Sequence, residues 1–122
     1  MANVSDLIGV PFQYGGRGPD TYDCYGLLRE LMRRDGTVIP DYLSPTDAPR
    51  ILAMFALGLS HWQQAPCKPG TALLIQAGTF AHCGYVLDSM WFAHTWEKSG
   101  GVVKERLDDW KHRIKGSYRY VG

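Results

Sequence analysis

The sequence predicts an α+β fold in which helices near the N-terminus pack on an antiparallel sheet of about five strands. Helical periodicity lies in the first half of the chain, whereas short stretches rich in β-branched and aromatic residues follow Pro69-Gly70. Helices that precede a meander of strands are typical of this class. The 122 residues, 45% hydrophobic and 20% charged, indicate one folded domain over residues 1–122 and exclude a disordered chain.

The clearest predicted helix covers residues 24–35, and Gly36 follows it as a helix stop. Its apolar side chains recur at three- and four-residue spacing: Leu27, Leu28, Leu31 and Met32. A short helix is predicted over residues 3–8, ended by Gly9. A further helix is predicted from residue 46 or 47, as its cap, to about residue 59. The helical layer therefore belongs to the N-terminal half.

Five strands are predicted after the helices, over residues 71–76, 80–87, 91–95, 102–107 and 117–121. The turn between the second and third strands decides how His82 and His94 are placed. A two-residue loop at 88–89 would put the two histidines on opposite faces of the sheet. A three-residue loop at 88–90 pairs Gly84 with His94 and puts His82 diagonally beside His94. Joint action of the histidines requires that odd-length loop or a bulge.

The charge of the chain argues against two classes of partner. The formal net charge is +1, so no overall field attracts nucleic acid or anionic membrane, and apolar runs such as residues 51–59 are too short to span a bilayer. Residues 1–50 carry a balance of −2, whereas residues 98–119 carry seven basic and three acidic side chains, a balance of +4. This basic C-terminal segment is either a solvated surface or a docking face for an anionic partner.

The first residues contain no basic stretch followed by an apolar core, so we expect no signal peptide and synthesis in the cytoplasm. The odd number of irregularly spaced cysteines, Cys24, Cys67 and Cys83, predicts reduced thiols. No CxxC or HxxxH spacing indicates a zinc site. The glycine-rich loop at residues 15–18 lacks the Gly-Lys-Ser/Thr of a phosphate-binding loop. We therefore expect no metal and no cofactor.

Cys24 is the candidate nucleophile, because it lies where a turn-rich segment meets a helix. Backbone N–H groups and the helix dipole at such a position favour a thiolate and can lower a cysteine pKa from about 8.5 into the range of roughly 3.5–7.5. The alternative is a small packed cysteine. A thiolate nucleophile needs a proton acceptor, and His82 and His94, both in predicted strands, are candidates for base and orienter. His61 and His112 are interpreted as surface residues.

Two segments of the chain resemble the NlpC-type cell-wall peptidases, which are papain-like cysteine peptidases. Gly15-Gly16 followed by Asp23-Cys24-Tyr25-Gly26 is similar to the family's nucleophile motif. The stretch from His82 to His94 resembles the second motif, in which a histidine begins a strand and another polar residue follows 12 positions later. Pro69-Gly70 resembles the family's strand entry. The resemblance runs from about residue 9 to residue 120.

The resemblance implies a papain-like fold with Cys24 as nucleophile, His82 as general base and then acid, and His94 as orienter of the His82 ring. It also implies cleavage of peptidoglycan stem peptides, typically between γ-D-glutamate and a diamino acid. The chain departs from the family at two positions. Phe12 stands where the family has Tyr, so an oxyanion-stabilising hydroxyl is either missing or supplied by Tyr14 or Tyr22.

The second departure is Tyr25, which replaces the usual Ser after the cysteine; Asp23 and Tyr25 join the substrate-binding candidates. Asp-Cys-Tyr and the ending over residues 113–119 are similar to the tail-associated members of tailed bacteriophages and prophages. That resemblance implies a virion tail protein that acts on the host cell wall and contacts other tail-tip proteins through its basic C-terminal segment. The alternatives are a structural or plug component of a tail with weak or no activity, and an acyltransferase or amidase of related fold.

Overall fold

The computed structural model describes residues 3–41, 61–77 and 80–122. They form one antiparallel sheet of six strands, a long helix α1 over Cys24–Arg34 and a short helix α2 over Leu107–Trp110. The strands are β1 Trp62–Gln64, β2 Ala72–Ala77, β3 Phe80–Val86, β4 Trp91–His94, β5 Val103–Arg106 and β6 Ile114–Tyr120. Their order across the sheet is β1-β6-β2-β3-β4-β5. The predicted α+β class is confirmed.

Helix α1 forms where the apolar periodicity predicts it and packs on the sheet, mostly against β3. Asp23 is its N-cap, and Asp35 its C-cap, with the Gly36 backbone at a φ of +91° just beyond. The buried side of the helix carries Leu27, Leu28 and Leu31, each at most 1% exposed. Burying these side chains against the sheet is the main reason why an 11-residue helix is stable here.

The two faces of the sheet bury two separate hydrophobic clusters. Alternation along β3 sends Cys83 and Tyr85 into the cluster that contains the core residues of α1. His82 and Gly84 leave the strand on the other face, because the register pairs His82 with Ile75, which belongs to the second cluster. That second cluster consists of Leu73, Ile75, Val86, Phe92 and Trp110. Successive side chains of β3 therefore point to opposite faces of the sheet.

Three sequence-based predictions need correction. Residues 3–8 form hydrogen-bonded turns instead of a helix, since the Asn3 side chain accepts the Ser5 N–H at 3.0 Å and so competes with helical bonds. The sheet has six strands instead of about five, because the short edge strand β1 pairs with the end of β6. Strand β6 begins at Ile114, three residues before the predicted start, and α2 was not predicted.

The predicted helix from residue 46 or 47 to residue 59 lies outside the described residues. Neither helix of the described residues combines the length and the apolar character needed to cross a membrane.

Candidate active site

Asp23 fixes the loop before α1 onto the start of the helix. Its carboxylate is almost fully buried and accepts the Gly26 N–H at 2.7 Å, which caps the helix. The same carboxylate accepts the Gly15 N–H at 3.0 Å and a guanidinium N–H of Arg17 at 2.8 Å. Asp23 is thus a structural anchor that determines where Cys24, the first residue of α1, is held.

Gly26 allows the loop and the helix to touch. A Cβ atom at this position would lie 2.1 Å from the carbonyl oxygen of Gly16, far inside van der Waals contact. The Gly16 carbonyl in turn accepts the Asp23 N–H at 3.1 Å. The Gly-Gly turn and the glycine after Tyr25 are therefore two sides of one close contact, which explains why the nucleophile motif contains both.

Cys24 is half-buried, and the group next to its thiol is Cys83. The hydrogen bond from the Cys83 thiol holds the pKa of Cys24 below its ordinary value, against the opposing effect of burial. Backbone N–H groups of Cys83 and Tyr25 act in the same direction. The pKa of Cys83 is raised well above its usual range, first by that hydrogen bond and then by burial. Of the two thiols, Cys24 is the one suited to act as a nucleophile.

His82 and His94 lie together on the face of the sheet that carries the second cluster. Tyr85 pairs with Ala93, and the Leu87 N–H donates to the Trp91 carbonyl at 2.9 Å, so the hairpin has the three-residue loop. Nδ1 of His94 lies 3.3 Å from Nε2 of His82. The prediction that an odd-length loop places the two histidines side by side is confirmed.

Two indole rings pack against the two imidazoles, Trp110 of the second cluster and Trp96, which packs on that cluster. The His82 ring centroid lies 5.2 Å from Trp96 and 5.9 Å from Trp110, and that of His94 lies 4.8 Å from Trp110. Burial, followed by the charge of His94, lowers the pKa of His82 to about 3. Burial also lowers the pKa of His94, although its hydrogen bond to Glu105 acts in the opposite direction. The lowered pKa values favour the neutral form of both imidazoles near pH 7.

The structure does not join Cys24 to His82. Within residues 3–41, 61–77 and 80–122, no hydrogen bond connects the two side chains, and Cys83 is the residue of β3 that bonds to Cys24. Cys24 thus forms a thiol pair with Cys83 on the helix side of the sheet, whereas His82 and His94 form a histidine pair on the other side.

The tyrosine candidates have different surroundings. Tyr14 is exposed and donates to Glu97 at 2.7 Å; this bond raises its pKa, and the nearby Cys24 charge adds to the effect. Tyr22 is buried, and Tyr25 is buried with its hydroxyl donating to the Pro40 carbonyl at 2.6 Å. Tyr14 is therefore the candidate that combines an exposed side chain with proximity to Cys24. Phe12 packs edge-on against Tyr14, with 5.0 Å between ring centroids.

Glu105 contacts the histidine pair and is not among the residues that the sequence motifs single out. Its carboxylate accepts a hydrogen bond from Nε2 of His94. The signal that would reveal it is the register of β4 and β5, in which Phe92 faces Glu105 and therefore puts Glu105 on the histidine face. Cys83 was predicted to point away from His82, as it does, but its contact with Cys24 was not foreseen.

The remaining candidates lie outside both groups. His61, His112 and Cys67 are exposed. Among the described residues, no group of three or more His, Cys, Asp or Glu side chains is arranged to hold a metal ion.

Comparisons with known proteins agree with the fold and the motifs. The sequence profile of the NlpC/P60 family matches residues 9–119. No curated protein sequence matches the chain significantly. Among solved structures, one similar structure is NlpC2 from Trichomonas vaginalis, with a TM-score of 0.71 and 18% identity over 96% of this chain. The match spans 44% of that protein, and it supports the papain-like fold. The family consists generally of cell-wall cysteine peptidases. The chain belongs to the NlpC/P60 family.

Proposed function

We propose that the chain is a cysteine endopeptidase that hydrolyses amide bonds in peptidoglycan stem peptides, at the bond between γ-D-glutamate and a diamino acid. The observation that supports it most directly is Cys24, a thiol of lowered pKa at the first position of a capped helix in a chain of this family. Backbone N–H groups at that helix start are suited to stabilise the oxyanion of an acyl-transfer reaction.

In the proposed reaction, Cys24 Sγ attacks the scissile carbonyl carbon and forms a tetrahedral intermediate. His82 accepts the thiol proton and passes it to the leaving amine, and water then hydrolyses the acyl-enzyme. His94 orients the His82 ring through the contact of 3.3 Å. The hydrogen bond between Cys24 and His82 has to form when substrate binds, as catalytic hydrogen bonds in unliganded enzymes often do.

Delivery by a phage tail belongs to the same proposal. Its support is the resemblance of the Asp23-Cys24-Tyr25 motif and of residues 113–119 to tail-associated members of the family. The basic C-terminal segment, residues 98–119, would contact other tail-tip proteins. The protein would be made in the cytoplasm and would act on the wall of the host cell after the virion has carried it there.

A second candidate function is a structural or plug component of a tail with weak or no activity. The observation that favours it is the separation of Cys24 from His82, whose ring packs among Trp96 and Trp110 instead of contacting the thiol. Phe12, which lacks the hydroxyl usual at its position, points in the same direction.

Digestion of purified sacculi separates the two functions. Wild-type protein, Cys24→Ala and the control Cys67→Ser, which removes an exposed thiol, are incubated with sacculi, and the released muropeptides are analysed by mass spectrometry. The peptidase predicts new stem-peptide fragments, cut between γ-D-glutamate and the diamino acid, from wild type and Cys67→Ser alone. Identical profiles for wild type and Cys24→Ala would refute the peptidase and support the structural role. Cleavage of the amide bond that joins the stem peptide to the sugar would assign the protein to an amidase, and cleavage of another bond within the stem peptide would correct only the proposed bond.

A further inference from the structure

A third side chain, which lies outside both family motifs, is hydrogen-bonded to the histidine pair. Glu105, on β5, accepts a hydrogen bond from Nε2 of His94. The carboxylate is 37% exposed, whereas the His94 ring is fully buried, so Glu105 is the outer end of a chain of groups that runs inward to His82.

The Glu105 carboxylate contacts His94 and not the basic residues beside it in the chain. Its chain neighbours Lys104 and Arg106 lie over the ring of Trp91, at 5.2 and 5.9 Å from its centroid. Among the described residues, His94 is the one basic side chain within salt-bridge distance of the Glu105 carboxylate. The carboxylate therefore binds the buried imidazole of His94 instead of forming an ion pair with a lysine or arginine at the surface.

The donor and acceptor roles along this chain follow from the chemistry of its groups. A carboxylate accepts hydrogen bonds, so Nε2 of His94 carries a proton. In neutral His94, Nδ1 then holds a lone pair and accepts, so the contact of 3.3 Å requires a proton on Nε2 of His82. Neutral His82 is left with an unprotonated Nδ1. That nitrogen is the one able to take a proton from a thiol.

We propose that Glu105 is a positioning residue that fixes the tautomers of both histidines and thereby presents Nδ1 of His82 as the proton acceptor. The use of Nδ1 in catalysis rests on the proposed peptidase function, whereas the tautomers themselves do not. A carboxylate that accepts a hydrogen bond from one ring nitrogen commonly fixes the tautomer and the orientation of an imidazole. The other charged groups near the pair are Lys98, over the Trp96 ring, and Arg113, over the Trp110 ring.

Long-range proton–nitrogen NMR of the ¹⁵N-labelled protein at neutral pH reads the tautomers directly. We expect a proton on Nε2 and none on Nδ1 for both His82 and His94 in the wild type. Glu105→Ala should let His94 exchange between its two tautomers, and Glu105→Gln should restore the wild-type state because its amide oxygen still accepts. Asp108→Ala, which removes an exposed carboxylate elsewhere, is the matched control.

A proton on Nδ1 of His94 in the wild type, or unchanged tautomers in a folded Glu105→Ala, would overturn the proposal. The wild-type measurement stands even if the alanine variant fails to fold. With sacculi as substrate, Glu105→Ala should lower kcat by about 10- to 100-fold at unchanged KM. This is part of the rate enhancement of roughly 10²–10⁴-fold that a positioned acid or base supplies. An inactive wild type with the expected tautomers would refute the peptidase and leave the role of Glu105 intact. An active enzyme with the opposite tautomers would support the peptidase and refute the role of Glu105.

Discussion

Cys24 and Cys83 carry the same chemical group, yet their surroundings give them opposite acidities. Cys24 starts a helix and receives hydrogen bonds from the Cys83 thiol and from backbone N–H groups, all of which favour its thiolate. Cys83 is buried in the core, donates to Cys24 and would have to place a second charge beside the first. The acidity that suits Cys24 to the proposed role of nucleophile thus comes from a partner thiol as well as from the helix start.

Replacing Cys83 should make Cys24 less acidic. In a Cys67→Ser background, which removes the other reactive thiol, Cys83→Ala should raise the pKa of Cys24 because the thiol donor is lost. Cys83→Ser keeps a hydroxyl donor and is the matched control. The pH dependence of iodoacetamide alkylation, followed by mass spectrometry, measures the pKa of Cys24. An alkylation profile of Cys83→Ala identical to that of the background protein would contradict the assigned hydrogen bond.

At the scale of elements, the start of α1 and the loop before it are one structural unit. Asp23 binds N–H groups of the loop and of the helix, and Gly26 lets the Gly16 carbonyl approach the helix backbone. The sequence indicated a turn and a helix start at these positions. The reason for each glycine, however, is a contact between residues that fold back on one another.

A methyl group at position 26 should destabilise this unit. Alanine usually favours a helix over glycine by about 1 kcal/mol, but here its Cβ would meet the Gly16 oxygen at 2.1 Å. We expect Gly26→Ala to lower the free energy of unfolding by about 1–3 kcal/mol, the usual cost of overpacking. Urea denaturation measures it. Arg33→Ala, exposed on the same helix, should change the value by at most about 0.5 kcal/mol. A Gly26→Ala variant as stable as wild type would show that the loop can move away freely.

At the scale of the whole molecule, the sheet separates the thiol pair from the histidine pair. Burial against Trp96 and the second cluster lowers the pKa of His82 and of His94 and so favours their neutral forms in the folded chain. The unfolded chain binds protons on both histidines near their ordinary pKa of about 6.5. Folding and protonation therefore oppose each other over a defined range of pH.

The folded protein should lose stability as the pH falls. Because the pKa of His82 is lowered to about 3, its neutral form stabilises the fold above about pH 6.5, and this contribution is lost progressively as the pH falls towards 3. Each buried histidine then lowers the free energy of unfolding by up to about 1.4 kcal/mol per pH unit. Denaturation between pH 7 and pH 4 tests this. His82→Gln should reduce the slope, whereas the exposed His112→Gln should leave it unchanged; equal slopes in all three proteins would show that His82 is not a buried neutral group.

Local patterns in the sequence were sufficient for α1 and for the class of fold. Helical periodicity and a stop at Gly36 act within a few residues, so they are readable without tertiary information. The strand β1 was missed because three residues, two of them polar, carry no pattern of their own and become a strand only by pairing with β6. The start of β6 was misplaced because Gly116 resembles a strand end, although it is paired with Leu74.

The sequence by itself determined that this chain has a helix beginning at Cys24, an antiparallel sheet and two histidines whose spacing suits one face. The sequence was compatible with a hairpin loop of two or of three residues, and the register of β3 and β4 shows the three-residue loop. Only the tertiary structure decided that Cys83 is the partner of Cys24, that Glu105 completes the histidine chain, and that the two groups lie on different sides of the sheet. The physical reason is that these contacts join elements far apart in the chain, and a shift of register by one residue would exchange every side chain between the two faces.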